Sequence, residues 1–240
     1  MHDSLADYDD NCVILSQLSF SQEWIGWLLY NAASLQICFC EGLDQMLRKL
    51  AINSTNLGCF AGLRLLKISY SHSTLKPTRG QCITSFDLVP NLEEIYFHSL
   101  SKLESISDFG DFLGLRFSRL RIIDIFSCPQ LKHLFSVEDT GLVAPNLKVL
   151  KLKNLPNLET LCSHNESWQH LQQLELLNCD LLRKLPLTTQ NEDSVKEVRG
   201  QLEWWNRLEW ENEDMKQRLQ NHFIAIDRFG QVIDKADSIL

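Results

Sequence analysis

Cys38 and Cys40 form a C-x-C pair, and two thiols at that spacing suggest a soft metal such as zinc. Their surroundings argue otherwise. Cys38 ends a strand pattern on its outer face, whereas Cys40 falls on the inward turn that follows, so the sulfurs point apart. The 7 histidines include no pair spaced for one face of a helix, and neither His98 nor His133 has a nucleophile placed beside it. Glu93 and Glu94 are neighbours in sequence, which on a strand sends the carboxylates to opposite faces. The chain contains no G-x-x-x-x-G-K-(S/T) or G-x-G-x-x-G phosphate loop, no G-x-S-x-G elbow and no H-E-x-x-H. The expectation is a protein that is not an enzyme and holds no metal or cofactor. Trp204, Trp205 and Trp210 form the one aromatic concentration, expected to cover the end of the fold rather than to bind a ligand.

A repeat explains far more of the chain. Leu92, Ile95, Phe97, Leu100 and Leu103 recur as Leu120, Ile123, Ile125, Cys128 and Leu131, then as Leu147, Leu150, Leu152, Leu155 and Leu158. Another copy is Leu171, Leu174, Leu176, Cys179 and Leu182; looser ones begin at Ala32 and Leu63. The starts step by 31, 29, 28, 27 and 24 residues, close to the roughly 20–29 of leucine-rich repeats. A unit this short cannot bury its own apolar face, so neighbours must stack. The predicted fold is an α/β solenoid, a leucine-rich-repeat horseshoe with a concave parallel sheet and loops or short helices on the convex side.

Within each repeat the L-x-L core alternates with period two, the mark of a strand buried on one face. Parallel strands need crossovers, which the rest of each repeat supplies. Pro90-Asn91-Leu92, Pro145-Asn146-Leu147 and Pro156-Asn157-Leu158 set proline just outside apolar positions, where its fixed φ and missing donor are tolerated. The outward positions are Ser34, Gln36, Cys38; Leu65, Lys67, Ser69; Glu94, Tyr96, His98; Ile122, Asp124, Phe126; Val149, Lys151, Lys153; and Gln173, Glu175, Leu177. Among them Tyr96, Ile122 and Phe126 are expected to form an apolar and aromatic centre flanked by Glu94, Lys151 and Lys153. With His98, Asp124 and Glu175 these make the candidate protein-binding concave face. Its occupant is either a separate partner or another domain of a longer protein.

The remaining boundaries are less regular. Residues 1–31 carry no clean repeat: Val13, Ile14, Leu15 and Leu18, then Trp24, Trp27, Leu28 and Leu29, read as an eroded repeat or as the crossover into the first good strand. Lacking a polar cap, this end is expected to expose apolar surface around Leu28, Leu29 and Leu35. Repeats fill 32–186, a Trp-rich cap 187–225, and a tail without clear signal 226–240. Met215, Leu219 and Phe223 recur every four residues, which predicts a short amphipathic helix. The net charge of −8 argues against nucleic acid as a partner. No stretch approaches the ~20 apolar residues of a membrane span, and the acidic first residues are unlike a secretory signal. The 8 cysteines are therefore read as reduced packing residues of an intracellular, cytoplasmic protein, and the sequons at Asn53 and Asn165 as accidental.

The segments "VPNLEEIYFHSLSKLESI", "CPQLKHLF" and "APNLKVLKLKNLPNLETL", and above all the ending "VKEVRGQLEWWNRLEWENEDMKQRLQNHF", resemble plant disease-resistance proteins. The similar group is the nucleotide-binding leucine-rich-repeat class with an amino-terminal coiled coil, and the resemblance covers roughly residues 30–225. It implies the repeat domain of an intracellular immune receptor. Such a domain senses pathogen effectors or the guarded host proteins they alter, and holds the receptor's own nucleotide-binding module at rest. The coiled coil and the nucleotide-binding module are missing, and ADP or ATP would belong to the latter. The chain thus reads as a carboxyl-terminal fragment or a truncated product. An alternative class, a ubiquitin-ligase substrate adapter with leucine-rich repeats, would need an F-box of roughly 40 residues, for which residues 1–31 are too short. A secreted receptor ectodomain would need a signal peptide and an L-x-G-x-I-P motif, both lacking.

Overall fold

A computed structural model of the chain describes residues 11–18, 31–43, 60–72, 87–113, 117–135, 143–162, 168–188 and 192–233. The predicted loop from Thr74 to Leu88 falls mostly outside these residues. Trp24, Trp27, Leu28, Leu29 and both sequons lie wholly outside them.

One parallel sheet organises the molecule, its strands following chain order from β1 to β9. They are β1 (Cys12–Ser16), β2 (Ser34–Cys38), β3 (Leu65–Ser69), β4 (Glu94–His98), β5 (Ile122–Phe126), β6 (Val149–Lys153), β7 (Gln173–Leu177), β8 (Glu197–Gly200) and β9 (Phe223–Ala225). The sheet is open, and its architecture is that of a leucine-rich-repeat solenoid. Register is uniform: Leu35, Leu66, Ile95, Ile123, Leu150 and Leu174 stand side by side, as do Ile37, Ile68, Phe97, Ile125, Leu152 and Leu176. All twelve are buried, which makes one continuous core out of two columns of apolar side chains. A one-residue slip would turn every one of them outward, so the alternation itself fixes the pairing.

Strands β1 to β7 leave the sheet by the same device. The residue after β1 to β7 is Gln17, Phe39, Tyr70, Ser99, Ser127, Asn154 and Asn178 in turn, and each has φ between 50° and 57°. This left-handed conformation turns the chain sharply inward. It also aims the N–H at the last carbonyl of the next strand, as in Phe39 to Ser69 (3.1 Å), Ser99 to Phe126 (2.8 Å) and Asn154 to Leu177 (2.8 Å). At Asn178 the side-chain oxygen of Gln201 accepts instead (2.9 Å).

Two further ladders tie repeat to repeat. The asparagines of the Pro-Asn-Leu steps donate to the preceding turn: Asn91 to Ala61 O, Asn146 to Ser118 O and Asn157 to Pro129 O, each 2.7 Å. The turn cysteines donate inward, Cys40 to Leu15 O (3.6 Å), Cys128 to Phe97 O (3.8 Å) and Cys179 to Leu152 O (3.5 Å). Burial pushes the Cys128 thiol up to about 11 and the Cys179 thiol up to about 12, so both stay protonated donors at neutral pH. Between β4 and β5 the crossover carries α1 (Ile106–Leu113), whose Phe109 meets Phe97 edge-on at 5.2 Å.

At both ends the sheet runs past the leucine pattern. Residues 12–16 form a strand in register with β2. Leu35, expected to be exposed, is consequently buried beside Leu15 and Val13. At the other end the pattern stops near Leu185, yet β8 pairs with β7 and β9 with β8. Gly200 occupies the slot of Leu176, and a Cβ there would meet the Trp204 ring at 2.6 Å. The indole of Trp204, on α2 (Leu202–Arg207), fills the space that a leucine fills elsewhere, its Nε1 donating to Leu182 O (3.2 Å). Trp205 stacks on Phe223 at 4.2 Å and meets Trp210 at 4.7 Å. Trp204 and Trp205 are therefore part of the core that continues under the sheet, with Trp210 partly buried against it. The predicted amphipathic helix is α3 (Glu213–Gln220), capped by Asn212 accepting from Met215 N (2.8 Å) and burying Met215 and Leu219. Phe223, placed in phase with that helix by spacing alone, belongs to β9.

The tail contributes as well. Ile226 bridges antiparallel to Val232, and Ile233 N donates to Ala225 O (2.9 Å), so a turn folds back along β9. No helix among the described residues is long and apolar enough to cross a membrane.

Candidate functional site

The outer face of the sheet is built by three columns, set by the same register that builds the core. The first runs Ser34, Leu65, Glu94, Ile122, Val149, Gln173; the second Gln36, Lys67, Tyr96, Asp124, Lys151, Glu175, Arg199; the third Cys38, Ser69, His98, Phe126, Lys153, Leu177. Neighbours within a column are about 4.8 Å apart, the spacing of paired strands. All nine predicted residues, Glu94, Tyr96, His98, Ile122, Asp124, Phe126, Lys151, Lys153 and Glu175, therefore fall in one contiguous patch over β4 to β7.

Its composition differs from the expected apolar centre with a charged rim. Asp124 stands between Ile122 and Phe126 on β5 and directly beside Tyr96, so the three apolar groups do not merge. The centre is a mixed group: His98 Nε2 lies 3.8 Å from Asp124 Oδ1, and its ring meets Phe126 edge-on at 6.0 Å. Glu94 is not a rim charge. It is only 7% exposed, flanked in its column by Leu65 and Ile122, and its carboxylate accepts from the Tyr96 hydroxyl at 2.7 Å. A buried carboxylate needs such a donor, which makes Tyr96 a partner of Glu94 before it is a contact for anything else. Ser34, Leu65 and Ser69, also outward by alternation, are buried too. Leu177 is buried beneath the returning tail, where a Cβ on Gly230 would lie 3.6 Å from its Cδ2.

Charge on this face is largely paired from within. Asp124, Lys151, Glu175 and Arg199 alternate in sign across four adjacent strands. Lys153 Nζ reaches Glu175 at 2.8 Å, and Arg199 Nε reaches Glu197 at 2.9 Å. Opposite charges directly across a ladder support the stacking order, since like charges there repel. A macromolecule docking on β4 to β6 would meet an exposed ring, Phe126, among side chains of alternating charge. Such a surface selects by shape and matched hydrogen bonds more than by net charge.

The C-x-C pair is separated by geometry. Cys38 lies in the third outer column, the left-handed step at Phe39 breaks the alternation, and Cys40 turns into the core. Among the described residues no trio of His, Cys, Asp or Glu is arranged to hold a metal ion. His133, read as a surface residue, has its Nδ1 2.8 Å from Thr160 Oγ1 of the next repeat, and His72 is held likewise by Ser101 Oγ at 2.9 Å.

Sequence reasoning missed three features of this surface. The left-handed ladder was legible only as the position after each strand. The asparagines of Pro-Asn-Leu were overshadowed by their prolines. The exposed aromatics of the ladder, Phe39 and Tyr70, lie outside the strand positions that alternation singles out.

No family model matches the sequence. The chain is 32% identical over an alignment of 251 residues to "Disease resistance protein At4g27190" of Arabidopsis thaliana, covering 90% of this chain and 25% of that protein. It is 31% identical over 228 residues to "Probable disease resistance protein At4g27220" of the same plant, covering 81% and 24%. The chain spans about a quarter of the length of these curated relatives.

Proposed function

By sequence the chain belongs with the plant disease-resistance proteins, and on that premise we propose that it is the protein-interaction domain of an intracellular immune receptor with a nucleotide-binding module. In this reading the repeats are a scaffold without enzymatic activity. The outer face over β4 to β6 engages a pathogen effector or an altered host protein, and it restrains the receptor's nucleotide-binding module while no ligand is present.

One observation carries the proposal. The open parallel sheet sets Tyr96, His98, Asp124, Phe126 and Lys151 side by side on one face, with Phe126 exposed among charges that neutralise one another. An aromatic anchor in a polar surround is the composition of a protein contact. Nothing in the arrangement favours the ubiquitin-ligase adapter.

The test is co-precipitation of the chain with the nucleotide-binding module of a related full-length receptor, comparing wild type with Phe126→Ala and Lys151→Glu. Loss of binding in both variants, at unchanged unfolding midpoints, supports a clamp on this face. Undiminished binding moves the clamp elsewhere, and failure of folded wild type to bind removes the restraining role.

A further inference from the structure

Of the seven left-handed steps, five are taken by Gln17, Ser99, Ser127, Asn154 and Asn178. Polar and short side chains suit this conformation, Asn most of all. The other two are Phe39 (φ 52°) and Tyr70 (φ 55°), which follow the adjacent strands β2 and β3. A bulky residue held there costs on the order of 1–3 kcal/mol. Burial does not offset it, because Phe39 is 53% and Tyr70 50% exposed. The rings lie parallel to within 2°, their centroids 4.4 Å apart. Stacking recovers part of the cost, yet much aromatic surface stays in solvent on a rim where a serine would serve the fold better.

Beside the stack is a hollow of about 430 Å³ lined by Phe39, Cys40, Glu41, Gly42, Tyr70 and His72. Glu41 is exposed and ion-paired to none of the described residues, whereas His72 is occupied by Ser101. The hollow thus joins the aromatic stack to a carboxylate that is ion-paired to none of the described residues. We infer that it is a docking point for an arginine side chain of a protein partner, the guanidinium lying against the Phe39–Tyr70 stack and donating to the Glu41 carboxylate.

The chemistry selects among ligands. A guanidinium is planar, weakly hydrated and able to stack while its edge donates two hydrogen bonds to a carboxylate. A lysine ammonium is a compact, strongly hydrated charge that cannot stack. Phosphate is repelled by Glu41, and an apolar side chain would strip that carboxylate of water without replacing it. Cation–π attraction supplies affinity that an isolated exposed acid does not. This rim lies outside the β4 to β6 patch, so the inference does not rest on that patch being the receptor's working face.

The experiment is a titration of the whole chain with acetyl-Gly-Arg-Gly-amide, followed by NMR of the Phe39 and Tyr70 ring protons. The same peptide with citrulline, isosteric but uncharged, is the control. Saturable ring shifts are expected with arginine, at least about fivefold weaker with citrulline and in Glu41→Gln, as loss of ~1 kcal/mol of charge pairing implies. The double variant Phe39→Asn, Tyr70→Asn should unfold at the same or a higher midpoint and show no response to the peptide elsewhere on this rim. No saturable ring shift with arginine overturns the inference. So does an equal response to citrulline, or one unchanged in Glu41→Gln.

Discussion

The two ends of the sheet solve the same problem with different residues. At β1 to β3 the leucine pattern is loose but its slots are filled in the ordinary way, by Leu15, Leu35, Ile37, Leu66 and Ile68. The rim there is aromatic, and on the outer face Ile14 is 63% exposed. At β7 to β9 the slots themselves change hands. Gly200 replaces a leucine, Trp204 enters from α2 to occupy the space, and the tail from Ile226 to Ile233 folds along the last strand. The lesson is that a stacked sheet requires a filled volume and a satisfied ladder, not a particular residue at each slot. The carboxyl end keeps both by borrowing a side chain from the next element.

The sharpest way to break this equivalence is to remove the borrowed side chain. Trp204→Ala should destabilise the chain by about 3–5 kcal/mol, the range for truncating a buried aromatic, read as a lower urea midpoint. A change within experimental error would mean that the β8–β9 unit does not share the core of the earlier repeats.

Thiols give a second contrast, because Cys12 on β1 is exposed while Cys179 after β7 is buried. Ellman's reagent should label Cys12 in the native protein and reach Cys179 and Cys128 only on unfolding. The same burial links stability to pH. Raised thiol values mean that the unfolded chain loses these protons first, at about 9, so their contribution is intact below that. It declines as pH rises from about 9 toward about 11 for Cys128 and about 12 for Cys179. The stability difference between wild type and a Cys128→Ala, Cys179→Ala variant should therefore shrink over that window. A constant difference would place both thiols in a wetter site.

Smaller effects separate the ladders from the surface. Asn157→Ala removes one side-chain bond to Pro129 O and should cost about 0.5–1.5 kcal/mol. Lys184→Ala breaks an ion pair to Glu209 in which both side chains are mostly exposed, and should change the midpoint by less than about 0.5 kcal/mol. If Lys184 mattered more than Asn157, the turn asparagines would not be what joins the repeats.

The contrast also marks where the sequence was readable. Every core position from β2 to β7, and the membership of the outer columns, follows from alternation because the side-chain period of a strand is fixed. The sheet beyond Leu185 did not follow, since its filling residue, Trp204, comes after the strand it supports rather than from within it. Alternation also says which face a residue occupies and not how far its neighbours shade it. Glu94 was rightly placed outward by periodicity and wrongly given to solvent, because Leu65, Ile122 and the Tyr96 hydroxyl enclose it. Phe39 and Tyr70 escaped for a further reason: their meaning lies in the sign of φ, which composition does not display.

The left-handed steps have a mechanical consequence. Six of the seven fasten one strand's exit to the next strand's last carbonyl, in the same direction along the chain. Pulled by its ends, a stack fastened this way yields from a free edge, one stair at a time, because each stair leans only on its neighbours. With repeat starts 24 to 31 residues apart, every rupture frees roughly 80–110 Å of extended chain. Under load the protein is a spring that lengthens in counted clicks.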